Sequence, residues 1–425
     1  MNRPSEKANV TQPSGERLAL LYRVSQTFNS SLDLDEVLNR VIDEVIAATR
    51  AERGFVMLRD ESGRLTFRAA RGMDQRTIDA PAFQISRTVI ERVARESRPL
   101  LTHNAQNDEW LRERTSVIAL GLRSVLCVPL MLKGESIGVV YVDNRLQTGL
   151  FTSGDLELLT AIASSASVAI DNARLYQVAV EKGRLEHELQ VAREVQVSLL
   201  PRETPRVPGW EFAAHWQPAR EVSGDFYDFI ESGPDRLGIV IADVSDKGMP
   251  AALFMALTRS ILRASAAAAE SPAQCITQAN RLICADATNG MFVTLCYAQL
   301  NSAAGELTYV NAGHNPPLRY RAQDDQLIEL ERTGAILGFD EALPFEQRTF
   351  PVAAGDFIFL YTDGVTEALD AQQREFGKER LRQLLWAQRR ASAEVIVAAL
   401  EQAIGSFTGS TAPFDDITFA IAKCL

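Results

Sequence analysis

The sequence predicts an α+β protein made of two folded parts joined by a long helix. Three observations predict it. At 425 residues the chain exceeds the roughly 250–300 residues that one hydrophobic core supports. From Leu18 to about Asn172 the apolar residues switch between helical and strand spacing, and from about Trp210 apolar runs repeatedly end in acidic turns. Between these parts, Asn172 to Leu200 contains no proline and a single glycine, Gly183, before Pro201, Pro205 and Pro208 stop the pattern. The resulting division is a polar tail (1–16), a first domain (17–172), a helical linker (173–200) and a second domain (201–425).

Composition narrows the function. A net charge of −11 offers no basic surface for neutralising a nucleic-acid backbone. The opening "MNRPSEKANVTQPSGER" has no apolar core of a secretory signal. Arg123, Lys133 and Glu135 interrupt the apolar stretch Thr115–Val142 too soon for a membrane span of about 20 residues. Cys127, Cys275, Cys284, Cys296 and Cys424 are scattered without C-x-x-C spacing, as expected of reduced thiols and not of a disulfide frame or zinc site. The expectation is a soluble cytoplasmic protein that binds neither nucleic acid nor membrane.

In the first domain, Leu34, Val37, Leu38, Val41, Val45 and Ile46 share one helical face. "RGFVMLRD" and "GRLTFRAA" read as strands joined by the turn "DESG", and "SRTVIERVARESRPLL" as an amphipathic helix. "LRSVLCVPLMLKGESIGVVYVDN" is a hairpin turning at Lys133-Gly134. "TSGDLELLTAIASSASVAIDNARL" is a closing helix capped by Thr152 or Ser153. The order of elements, the hairpin and the "F-x-x-x-D" run from Phe151 to Asp155 resemble a GAF domain, which implies an antiparallel sheet with flanking helices and a sensory role. Some cyclic-nucleotide-binding members carry Asn-Lys…Phe-x-x-x-Asp-Glu, where this chain has Asn144-Arg145…Phe151-x-x-x-Asp155-Leu156. Two positions depart, and the GAF ligand stays unassigned. Neither His103 nor the strand residue Cys127 offers a haem or bilin anchor.

In the linker, Leu175, Val178, Lys182, Leu185, Leu189, Ala192, Gln196 and Leu199 recur at alternating steps of three and four. This is the repeat of a left-handed coiled coil, with Lys182 and Gln196 as polar seam positions. It predicts a homodimer through the first domain and the linker, the other reading being a helix packed on its own domain.

The second domain carries the chemistry. "SGDFYDF" places Asp225 and Asp228 among small and aromatic residues. "LGIVIADV" ends a buried strand in Asp243, "GDFIFLYTDG" repeats the design at Asp363, and "PFDDITF" sets Asp415 and Asp416 before the last strand. A carboxylate at the end of a buried strand is costly without a partner. Four such sites without matching Lys or Arg suggest convergence on hard divalent cations, and the absence of His and Cys from these motifs argues against zinc. Independent solvated turns are the competing reading.

The runs "ELQVAREVQVSLLP", "SGDFYDF", "IADVSDKGMPAALFMA", "MFVTLCYAQL", "YVNAGHNPPL", "GAILGF", "LYTDGVTEA" and "DDITF" resemble, in family order, PPM-type (PP2C-like) serine/threonine phosphatases of the bacterial SpoIIE/RsbU group. That resemblance implies a β-sandwich flanked by helices and two Mn²⁺ or Mg²⁺ ions. It implies that Asp243 bridges both metals and that the Val244 carbonyl and Asp225 serve the first. Asp363 and Asp415 would hold the second, with Asp416 sharing the role or standing behind it. It further implies a phosphorylated STAS-domain anti-sigma-factor antagonist as substrate, under GAF control; the alternative is an inactive sensor or scaffold with a phosphatase fold. Asp246 stands where many relatives have Gly. His314 is either a substrate-contacting group or a turn histidine, and Arg220, five residues before Asp225, a candidate phosphate ligand.

Overall fold

The computed structural model describes residues 14–28, 30–72, 74, 76–77, 86–105, 122–287, 290–411 and 413–425. The chain divides into two compact units, Met1–Arg184 and Leu185–Leu425.

The first unit begins with α1 (Ser14–Phe28) and α2 (Leu34–Thr49), followed by β1 (Arg53–Arg59), β2 (Leu65–Gly72), α3 (Arg87–Glu96), β3 (Leu100–Thr102), β4 (Ser124–Leu132) and β5 (Glu135–Asn144). The strands form one antiparallel sheet in the order β2-β1-β5-β4-β3. Every residue predicted for the α2 face is buried, and Asp33 starts the helix by accepting the Glu36 N–H at 2.8 Å. The β4–β5 turn uses Lys133 (φ 50°) and Gly134 (φ 90°), two successive left-handed residues that match the twist of a tight hairpin. One sheet face packs Val56, Leu126, Val128 and Val140 on the α2 side; the other packs Phe55, Cys127 and Tyr141 with Val89 and Val93 of α3. Burial raises the Cys127 thiol, and the His103 Nδ1 lies 3.0 Å from the Phe151 carbonyl. Both are structural.

Helix α4 is continuous from Ser153 to Leu199, so the expected closing helix and linker are one 47-residue element. Thr152 and Asp155 cap it reciprocally: Asp155 Oδ2 accepts the Thr152 N–H (2.8 Å), and Thr152 Oγ1 accepts the Asp155 N–H (3.3 Å). Asp155 of the "F-x-x-x-D" run thus serves as a helix cap, while Arg145 pairs with Glu52 at 3.2 Å.

The second unit holds two five-stranded antiparallel sheets. Its strands are β6 (Trp210–Gln217), β7 (Phe226–Gly233), β8 (Arg236–Val244), β9 (Val293–Asn301), β10 (Glu306–Ala312), β11 (Leu318–Arg321), β12 (Gln326–Glu329), β13 (Arg348–Pro351), β14 (Phe357–Tyr361) and β15 (Ile417–Cys424). The orders are β13-β10-β9-β8-β7 and β12-β11-β14-β15-β6. Between the sheets lie Phe212, Phe229, Ile239, Ile241, Leu360 and Ala422. Helices α5 (Met249–Ala268) and α6 (Pro272–Asp286) cover the first sheet through Met255, Leu262 and Ile276. After the short α7 (Asp363–Thr366), α8 (Gly377–Gln388) and α9 (Ala393–Thr408) cover the second through Leu381, Leu385, Ile396 and Leu400. This is a helix-flanked sandwich.

The coiled-coil expectation divides along α4. Leu175, Val178 and Leu185 are exposed, whereas Gln196 and Leu200 are buried in the second unit. Gln196 is no seam residue: its amide donates to the Ser223 carbonyl (2.6 Å) and accepts the Ser223 N–H (3.0 Å). The last turns of the helix are spent on their own domain.

Helix α5 is long and apolar enough to cross a membrane by composition. Its Ala251, Met255 and Leu262 nevertheless lie in the core, and its two arginines neutralise Asp228, which is fully buried. Arg263 grips that carboxylate at 2.6 and 2.7 Å, and Arg259 stands 3.0 Å away. Removing one member of a buried ion pair strands the other. Because Arg263 is partly exposed, Asp228→Ala is expected to cost ~3 kcal/mol in chemical denaturation of the second unit; a loss within error would show that the arginines do not depend on it.

Candidate metal centre

Strand direction and the two-residue period bring the acidic motifs together. β7 starts where β8 ends, with Phe226 opposite Ala242, and β15 starts where β14 ends, with Tyr361 opposite Phe419. Asp225 precedes β7, Asp243 ends β8, Asp363 follows β14, and Asp415 and Asp416 precede β15. Within β8, Leu237, Ile239 and Ile241 face the layer between the sheets, so Asp243 points the same way two residues on. Contacts between the sheets close this end: the Trp216 indole donates to the Asp225 carbonyl at 3.0 Å, and Asp416 reaches across to the loop before β7.

The carboxylates have unequal surroundings. Asp225 is 2% exposed, and its Oδ2 is buried without a hydrogen-bond partner. Burial first, then the nearby charges of Asp243 and Asp416, raise its pKa well above the carboxylate range, partly offset by the Thr362 and Thr418 hydroxyls. Burial and then Asp363 push Asp243 up to about 7, with Asp415 and Asp416 adding to the effect. Asp363 is raised by burial and by Asp415. Asp415 accepts the Lys247 ammonium at 3.0 Å, and that ammonium also lies 4.6 Å from the Phe414 ring centre.

Asp416 behaves differently. Its Oδ1 accepts the Ala219 N–H (2.7 Å), and its Oδ2 accepts the Ser223 hydroxyl (2.7 Å) and the Gly224 N–H (3.0 Å). Both oxygens hold the loop that carries Asp225, the arrangement expected of an Asp416 that stands behind Asp415. Among the described residues, no three His, Cys, Asp or Glu side chains form a ready-made ligand cage. The donor set still fits hard divalent ions: it is all oxygen, it repels itself, and it includes one orphaned buried carboxylate oxygen.

Comparison with known proteins matches two segments of the chain to known families. The model of Stage II sporulation protein E (SpoIIE) matches residues 233–425, and a GAF-domain model matches 31–171. Residues 31–171 are thus a GAF-type segment and residues 233–425 a SpoIIE-type segment. Protein IcfG of Synechocystis sp. is 34% identical over 258 residues, covering 54% of this chain and 40% of IcfG. Phosphoserine phosphatase RsbU of Bacillus subtilis is 33% identical over 183 residues, covering 43% of this chain and 54% of RsbU. The chain therefore spans about half or less of these relatives. The solved SiaA-PP2C domain of Pseudomonas aeruginosa shares the fold, with a TM-score of 0.53 at 20% identity over 58% of this chain and 99% of that one.

Several residues of the SpoIIE domain site escape a reading of acidic motifs. Gly224 lies where a Cβ would stand 3.0 Å from the Val244 carbonyl oxygen, so glycine lets the Asp225 loop approach β8. A Cβ on Gly364 would collide with the Asp416 carbonyl. Asp246, the departure from the family pattern, occupies a left-handed φ of 78° that glycine would adopt freely. His314 is buried, with its Nδ1 2.7 Å from the Thr294 hydroxyl and its Nε2 without a hydrogen-bond partner, and burial lowers its pKa to about 3. Arg220 is exposed on the loop before Asp225.

A carboxylate with a raised folded-state pKa holds a proton that the unfolded chain releases. Its contribution is therefore lost as pH rises from the ordinary carboxylate range toward neutrality. In the metal-free protein, Asp243→Asn is expected to raise the melting temperature of this domain by a few degrees at about pH 7.5, with the gap closing near about pH 4. A lower melting temperature at the higher pH would contradict the repulsion.

Proposed function

We propose that this chain is a metal-dependent protein phosphatase acting on phosphoserine or phosphothreonine. The observation that carries the reading is the meeting of Asp225, Asp243, Asp363 and Asp415 at one sandwich end, where Lys247 at its edge is the one cation paired with them among the described residues. Asp243 would bridge two Mn²⁺ or Mg²⁺ ions, Asp225 and the Val244 carbonyl would hold one, and Asp363 and Asp415 the other. Such a pair, when bound, supplies an activated water and neutralises phosphoryl oxygens. The chain's own residues keep the donors in place: Asp416 and Gly224 fix the Asp225 loop, Gly364 seats the Asp415–Asp416 turn, and Lys247 orients Asp415.

The name of RsbU, a phosphoserine phosphatase, supports a phosphoprotein substrate, and we assign a phosphorylated STAS-domain protein to that role. The GAF domain would control turnover through α4, because Gln196 in its last turns binds both backbone groups of Ser223, two residues before Asp225. The exposed Leu175, Val178 and Leu185 supply a stripe for a homodimer.

With Mn²⁺ the full chain is expected to hydrolyse p-nitrophenyl phosphate, and EDTA or Asp243→Asn to abolish this. Gln196→Leu should shift the Mn²⁺ concentration giving half-maximal rate. Hydrolysis that survives both EDTA and Asp243→Asn would remove the two-metal reading, and an unchanged Mn²⁺ dependence in Gln196→Leu would disconnect α4 from the centre.

A further inference from the structure

Beside the carboxylates lies a cavity of about 450 Å³ that the chemistry above does not use. Asp415 and Gly364 are among its lining residues, so it adjoins the candidate metal centre at Asp415. Its floor is the outer face of β6 and β15, where the His215 ring stacks on Phe419 at 4.9 Å between centroids. Its far wall is α9, through Ala398, Glu401 and Gly405. The volume lies in the range of sites that enclose a ligand.

The lining says which part of a substrate belongs here. Among the described residues no Lys or Arg lines it; the carboxylates are Glu401 and Asp415, and His215 stands 3.7 Å from Glu401. A phosphate dianion would meet negative charge and no fixed cation. The remaining accessible surface mixes apolar side chains (Leu369, Ala398, Pro413 and Phe414) with the polar Gln217, Gln402 and Thr408, above the buried Phe419, Ile417 and Ile404. An apolar side chain gains from entering it, and the adjoining metal centre fixes where the phosphate must lie.

We propose that this cavity is the recognition subsite for the phosphoprotein, receiving an apolar side chain close in sequence to the phosphoserine; this rests on the phosphatase reading. Specificity for the partner is then set chiefly by α9 and β6, with Asp415 shared between the subsite and the metal-holding carboxylates.

Gly405 makes the subsite testable. It sits in α9 without a left-handed φ, and a Cβ built there meets no atom within 4 Å. A leucine can occupy the cavity without moving backbone, and it improves helix propensity. The probes are phosphoserine peptides on an alanine background, with one leucine scanned through the positions flanking the phosphoserine, alongside p-nitrophenyl phosphate. For the wild-type full chain with Mn²⁺, leucine at one or more positions is expected to raise kcat/KM about tenfold, the size of effect an apolar pocket gives. Gly405→Leu should erase that preference while leaving p-nitrophenyl phosphate turnover unchanged, and Ala398→Leu, on the same exposed wall, should act likewise. A wild-type enzyme indifferent to leucine, or a preference that survives both substitutions, would overturn the subsite. Absence of p-nitrophenyl phosphate turnover by the wild type would instead remove the phosphatase reading and the subsite with it.

Discussion

The structure of the second domain turns on repulsion between acids that the fold forces together. Asp225, Asp243, Asp363 and Asp415 sit at the ends of strands whose antiparallel pairing leaves them one place to go. Burial removes water from Asp225 and Asp243, and each then feels the other carboxylates in a medium that screens poorly. A fold that kept such a cluster without a cationic partner would carry a cost with no return. Divalent ions held there would convert the same arrangement into a stabilised one, and would couple their binding to the integrity of this end of the sandwich.

The heptapeptide "SGDFYDF" contains the contrast that makes this argument specific. Asp225 and Asp228 are both buried, three residues apart. Asp228 meets Arg259 and Arg263, one turn apart on α5, and is a satisfied structural ion. Asp225 meets other acids and keeps an oxygen with no partner. Identical side chains in one motif thus have opposite roles, and only the residues brought across from distant segments separate them.

Much of this was legible in the sequence, because strand termini and turns leave local signals. The helix face of α2, the Lys133-Gly134 hairpin and the acidic strand ends follow from period and turn chemistry. The parts that were not legible depend on contacts distant in sequence. Gln196 fits a heptad as well as it fits a hydrogen bond to Ser223, and spacing alone cannot choose between them. Asp416 looks like its neighbour Asp415 until Ala219, Ser223 and Gly224 arrive to occupy its oxygens. Gly364 is one glycine among 25 until the backbone of Asp416 is seen against it.

The most direct measurement is anomalous diffraction from crystals of the full chain grown with Mn²⁺. The account predicts two peaks about 3.5–4 Å apart at this end of the sandwich, with Asp243 between them. Asp225 should stand on one side, and Asp363 and Asp415 on the other. Well-ordered crystals with these carboxylates in place and no manganese among them would contradict it.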